Sequence, residues 1–434
     1  MIHAPATISL DARNIELGAT GQLARRVCFA VAFLCLLAAI LLPVTGLMKW
    51  SLFWRCWLQN WIFVLQIPLG ALFFVFIQHL TKAGWSTVIR RPAEVLASNL
   101  NWLWIGFIPI AVLVLTGSAG KLLPWSDMGM LFEEAPAEAH LVEGKLAYLN
   151  VPFFMIRAVC YFVIWAFLGT WFLRASIRQG RDGGLAATRA MQKMAPPAAI
   201  LFGVSITFAA FDWIMSLSPG WFSTMFGVYF FCGTATCGFS TIIIVCLLLQ
   251  RNGYLVNLIS REHYQDMGKF LFAFGMIFWA YIGFSQYMLI WYANIPEETG
   301  WFLARQLGEW GWLSIWLLFG HFCIPFVFLI SKHPKRDWKT LLVAAGWMLF
   351  FGWLDVYWLV MPTIPHDLAS FATYDGAAEA YASEKAGLLR PVNWLLMVGM
   401  LSLFAAVTIG RLRSHPLLCR KDPWLNNSLH FENY

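Results

Sequence analysis

Two aspartates sit where the chain least tolerates charge. Asp212 lies in the stretch FDWIMSLSPGWFSTMFGVYFFCG (Phe211–Gly233), apolar on both sides. Asp355 lies 143 residues later in LDVYW (Leu354–Trp358), and each is followed after seven residues by a proline, Pro219 and Pro362. An ionisable side chain at membrane depth costs about 2.5–3.5 kcal/mol, so it faces a helix-bundle interior or a hydrated cavity. Carboxylates placed there relay protons, bind coupling ions or line a quinone-type cavity. Around the first aspartate, Ser205, Asp212 and Ser216 share one helical face, a pattern that suits a hydrated track. Near the second stands the Tyr357 phenol. Further candidates for a proton route are Glu309 and His321 on one span, the pair Tyr281 and Ser285 at i, i+4 with Gln286 beside it, and Arg157. Arg55, Gln59 and Gln66 also share a face, as interhelical hydrogen bonding requires. The competing reading of each residue is a satisfied buried contact, such as an ion pair of Arg157 with an acid.

Ligand spacing gives no cofactor of the chain's own. The nine cysteines form no CxxC, and only His321 lies well inside a span, with His79 at the end of another. Neither a cluster, a zinc site nor a haem follows from that pattern. The segment Arg178–Gly184 lacks a preceding strand and a GK[ST], so it reads as a turn and not a phosphate loop.

The elements that must position these residues are membrane spans. Of the residues, 60% are hydrophobic and only 12% charged, against a usual charged share of about 25%. Ten apolar runs are predicted as spans, at 27–48, 54–79, 100–118, 152–175, 195–216, 221–250, 268–292, 306–331, 340–361 and 391–410. The first is too long for a signal-peptide core and lacks a cleavage site, so it is expected to remain as a span. With the N-terminus inside, 22 of the 30 Lys and Arg residues fall on inner segments, while Glu133, Glu134, Glu138, Glu143, Glu297, Glu298, Asp367, Asp375, Glu379 and Glu384 fall outside. Both termini are therefore expected in the cytoplasm. The net charge of +7 is a topology signal and implies no nucleic-acid partner.

Asp212 on span five and Asp355 on span nine both run outward and are separated by four helices. The expected architecture is all-α: one polytopic domain of two four-helix bundles in the same orientation, residues 54–216 and 221–361, flanked by spans one and ten. An acidic outer loop from His366 to Leu389 suits a surface helix that docks a partner. The tail from Arg411 to Tyr434 is expected to be extended and held only by other subunits.

Three stretches carry a resemblance: Phe211–Gly233, SQYMLIWYANIPEETGWF (Ser285–Phe302) and the terminal SLHFENY (Ser428–Tyr434). They resemble the F subunits (ActF) of bacterial alternative complex III, a quinol:cytochrome c oxidoreductase, within the NrfD-like polysulfide-reductase-type membrane family. The resemblance extends over the whole chain in span order. It implies two four-helix bundles and a multi-pass subunit of the bacterial inner membrane without redox centres, structural and a candidate proton route. The implied partners are an NrfD-like quinol-binding C subunit, periplasmic iron–sulfur and multihaem cytochrome c subunits, and a terminal oxidase. Haem c and iron–sulfur clusters would sit in those partners, with quinol as the substrate of the complex. Two alternatives remain open: a stand-alone ion-coupled secondary transporter, and a subunit that itself binds quinol.

Overall fold

A computed structural model describes residues 9–364, 368, 371 and 373–433, without the side chains of residues 296 and 297. His366, Asp367 and Tyr434 thus lie outside the described residues, as does the Glu297 side chain. Among the described residues nine helices are long and apolar enough to cross a membrane: Gln22–Val44, Trp50–Leu80, Val151–Asp182, Ala186–Leu217, Phe226–Arg251, Arg261–Ala293, Glu309–Ile330, Trp338–Val360 and Pro391–Ser414. A bent helix pair, span three in chain order, passes the same test of length and apolarity only when its two arms are taken together. The protein is a helical, multi-pass membrane protein.

Span three departs from the straight helix expected at 100–118. It consists of Gly84–Asn101 and Leu103–Leu115, bent by 43°. The carbonyls freed at the bend are taken by indoles of span two: Trp61 Nε1 donates to Leu103 O at 3.0 Å and Trp57 Nε1 to Gly106 O at 2.9 Å. Gly106 is required there, because a methyl would overlap the Trp61 ring. The first arm is buried on every side from Thr87 to Ser98. It carries Arg90, Arg91 and Glu94 into the interior, so these are not the free loop charges that the sequence suggested.

Span two is the axis of the molecule. Its apolar window is 94% buried, against 17% for span one, which packs along span ten at the periphery. Span two crosses span six so closely that a side chain at Gly70 would overlap the Thr234 carbonyl and Gly238. Small residues at such a crossing let backbones approach, the source of packing energy in a bilayer. Span two also meets spans five, nine and ten, and span six meets spans five, seven and nine. Span six opens at Phe226 and not at Trp221, which instead stacks on Trp301 at 4.4 Å and 11°.

Both ends of the described chain meet at one end of the helices. Leu255 N donates to Asn14 O at 2.8 Å, and Leu417 N to Ile15 O at 2.7 Å. The tail is not extended. Leu417, Leu418, Cys419 and Leu425 are buried, and Leu425–Leu429 is helical. Ser428 Oγ donates to Trp85 O at 2.5 Å, and Asp422 pairs with Arg90 in the interior. Two acids, Asp422 and Glu94, thus neutralise Arg90 and Arg91, whose guanidinium also donates to Ser176 O at 3.0 Å. At the opposite end only Tyr374–Ala380 of the long acidic loop forms a described helix of more than one turn.

Candidate functional site

The two aspartates occupy opposite electrostatic situations. Asp212, fully buried, receives a two-pronged contact: Arg157 Nε reaches Oδ2 and Nη2 reaches Oδ1, both at 2.8 Å. Tyr161 OH donates to Oδ2 at 2.8 Å. Arg157 is held in turn by Tyr148 O at 2.9 Å and lies over the Tyr148 ring at 3.8 Å. Both carboxylate oxygens are used and the charge is matched. This planar fork is a strong form of ion pair, and it uses both oxygens of the carboxylate. The expected serine track does not form around it. Ser205 Oγ accepts from Trp165 Nε1 at 2.8 Å, and Ser216 Oγ donates to the backbone carbonyl of Asp212 at 2.5 Å.

Asp355 has no such guard. It is 1% exposed, and its Oδ1 accepts from Tyr229 OH at 2.5 Å. Oδ2 has no hydrogen-bond partner among the described residues, and neither has Gln66 Nε2 across Gly233. No Lys, Arg or His among the described residues lies within ion-pair distance of this carboxylate.

Spans seven and eight each carry a π-helical segment, Leu271–Ile277 on span seven and Leu318–Cys323 on span eight. A π turn releases a carbonyl from the regular ladder, and such turns gather at functional sites. Both released groups are claimed by side chains. Gly275 O accepts from His321 Nε2 at 3.1 Å and from Thr236 Oγ1 at 2.7 Å, and Gly320 O accepts from Trp347 Nε1 at 2.7 Å. The His321 ring lies flat on Trp279 at 4.1 Å and 2°, and its Nδ1 is without a partner among the described residues. Trp279 lies 5.9 Å from the Tyr229 ring. Asp355, Tyr229, Trp279 and His321 therefore share one neighbourhood, joined through rings and not by a continuous chain of hydrogen bonds.

A cavity of about 990 Å³ opens beside this group between spans seven and eight. Tyr229 and Trp279 form part of its wall, and Phe284 and Trp312, both exposed on the apolar outside, form its mouth. Arg305, 2% exposed, lines the cavity with no carboxylate partner among the described residues. It donates to Trp301 O at 2.8 Å, Leu359 O at 2.9 Å and Trp358 O at 3.1 Å and packs on the Trp301 ring at 3.3 Å. Gln286 and Tyr281 also line this space.

Other candidates fall elsewhere. Glu309 is exposed at the end of span eight, where its carboxylate accepts from Ala386 N at 2.9 Å. Twelve residues of helix place it about 18 Å from His321, so the two are not relay partners. Tyr357 points away from Asp355 and donates to Ala386 O at 2.6 Å. Tyr281 is 63% exposed, and Ser285, though i+4 from it, is not among the cavity-lining residues. Tyr229, Trp279, Arg305 and Tyr161 were not singled out by the sequence. Tyr229 stands within the very stretch that drew attention to Asp212, yet its partner is 126 residues away. Among the described residues no group of three or more His, Cys, Asp or Glu side chains converges as metal ligands would. No protein-family model matches the chain, and no curated protein matches it.

Proposed function

We propose that this chain is a membrane subunit of a respiratory quinol:cytochrome c oxidoreductase of the alternative complex III type, and that its own task is proton handling at Asp355. In this reading spans two to five and six to nine are two four-helix bundles meeting at spans two and six. The basic end with both termini faces the cytoplasm of a bacterial inner membrane. Quinol oxidation releases two electrons and two protons. The electrons leave through clusters and haems of partner subunits, and the protons need acceptors of their own. The observation that supports Asp355 is its burial without a counter-cation among the described residues, with Oδ1 on the Tyr229 hydroxyl and the Trp279 indole beside the same carboxylate. Asp212, pinned by Arg157, has a structural task.

The test is Asp355→Asn in the intact complex reconstituted into vesicles. Assembly is expected to persist while proton movement per electron falls or the rate drops. Full coupling at full rate would overturn the reading.

A second reading is favoured by the cavity: its apolar mouth and its wall of Tyr229, Trp279 and Arg305 suit the flat headgroup of quinol itself. A rise of several-fold in the KM for quinol in Tyr229→Phe, with assembly intact, would favour that reading. An unchanged KM would leave the cavity without a substrate role.

A further inference from the structure

At the basic end of the molecule, spans four and five form a hairpin with a hollow of about 610 Å³ against its outer side. We propose that this hollow binds the headgroup of an anionic glycerophospholipid carrying a free hydroxyl, of the phosphatidylglycerol kind. Arg174 and Arg178 are one helical turn apart on span four and both line the hollow. Both are exposed, and neither has a hydrogen-bond or ion-pair partner among the described residues. Two guanidinium forks so placed match one phosphodiester, the geometry in which arginine exceeds lysine. Asp182 lines the same space and opposes one of the charges, which leaves the pair with a net positive charge.

A second observation points to the same ligand class. Gln179, completely buried, also lines the hollow. Its Nε2 is spent on Thr188 Oγ1 at 2.5 Å, while Oε1 has no partner among the described residues. A buried acceptor left open is costly, and a small turn of the Gln179 amide toward the hollow brings it to a headgroup hydroxyl that supplies the missing donor. Choline has none to give. Deeper along span four the wall turns apolar: Trp171 is next, and Phe167 follows one turn further, 51% exposed. The arginines therefore stand at headgroup depth and the aromatics at acyl-chain depth, as a cytoplasmic-side lipid site between helices requires.

The experiment uses the full-length protein in phosphatidylcholine nanodiscs doped with radiolabelled phosphatidylglycerol, and reads the labelled lipid retained after transfer to detergent. Wild type should retain phosphatidylglycerol over phosphatidylcholine, and Arg174→Gln with Arg178→Gln should lower retention about thirtyfold. Lysine at both positions should give an intermediate loss. It serves as the folded control, since it keeps the charge and removes only the fork. Equal retention of both lipids, or wild-type retention by the double Gln variant, would overturn the proposal. Displacement of the label by millimolar glycerol phosphate or inorganic phosphate would also overturn it, by identifying a site for soluble phosphate.

Discussion

Two residues of one chemical type separate by their company. Asp212→Asn removes the only carboxylate among the described residues that answers Arg157 and leaves a nearly buried guanidinium facing a neutral amide. Breaking one side of a buried pair costs about 3–5 kcal/mol, so this variant should melt well below wild type or fail to accumulate. Asp355→Asn leaves no orphaned cation, so its melting temperature should stay within a few degrees of wild type. Thermal melts of the two purified variants check this ordering, and equal losses would contradict it. The sequence located both aspartates because a charge in an apolar run is conspicuous in one dimension. It could not rank them. What distinguishes them is a partner 55 residues away in one case, and in the other a tyrosine 126 residues away with no cation. The bland alternative, an ion pair for Arg157, describes Asp212. The hydrated serine track does not, because helix-face periodicity says which side a hydroxyl takes and not which acceptor it meets there.

At the scale of elements, hydropathy found the runs that cross and missed how they are broken. Among the described residues nine long apolar helices overlap the predicted runs, because a run of that length and apolarity is legible in one dimension. The bend in span three and the two π segments depend on side chains of neighbouring helices that claim released carbonyls. No local pattern encodes those neighbours. The bend therefore carries a test. Trp61→Phe keeps the ring in its packing but removes the donor to Leu103 O, leaving a carbonyl unanswered in a dry interior. A loss of about 1–3 kcal/mol is expected, read as a lowered melting temperature of the purified protein in detergent. No shift would mean that the carbonyl has another donor.

At the scale of the whole molecule, the tail was misread because Pro416, Pro423 and the lack of an apolar period point to an extended segment, whereas Asp422 completes a pair with Arg90 inside the fold. Half-buried His415 begins the docked segment. Its imidazole is held below the usual value of 6.5 by burial and then by the nearby charges of Arg91 and Arg181. The docked tail thus binds fewer protons than the free tail. Its docking is fully favoured above about pH 6.5 and weakens as the pH falls below it. Limited proteolysis should cut the tail faster at about pH 5.5 than at about pH 7.5, and His415→Gln should flatten the difference. Equal rates in wild type would remove His415 from the account.

The crossing of spans two and six bears on the remaining alternative, a transporter. A carrier that exposes its centre first to one side and then to the other needs a joint that slides, with faces smooth enough to be re-seated at a new angle. Here the joint is keyed. Gly70 and Gly238 seat backbone against backbone with no side chain between them. About three turns from that key along span two, span nine is locked to the same helix: Trp353 Nε1 donates to Asn60 Oδ1 at 2.8 Å and Gln59 Nε2 donates to Trp353 O at 3.3 Å. Rotating one half against the other would strip dry hydrogen bonds that no water is present to replace. A joint keyed in this way holds its helices in one fixed arrangement, which weighs against the rocking that a transporter needs.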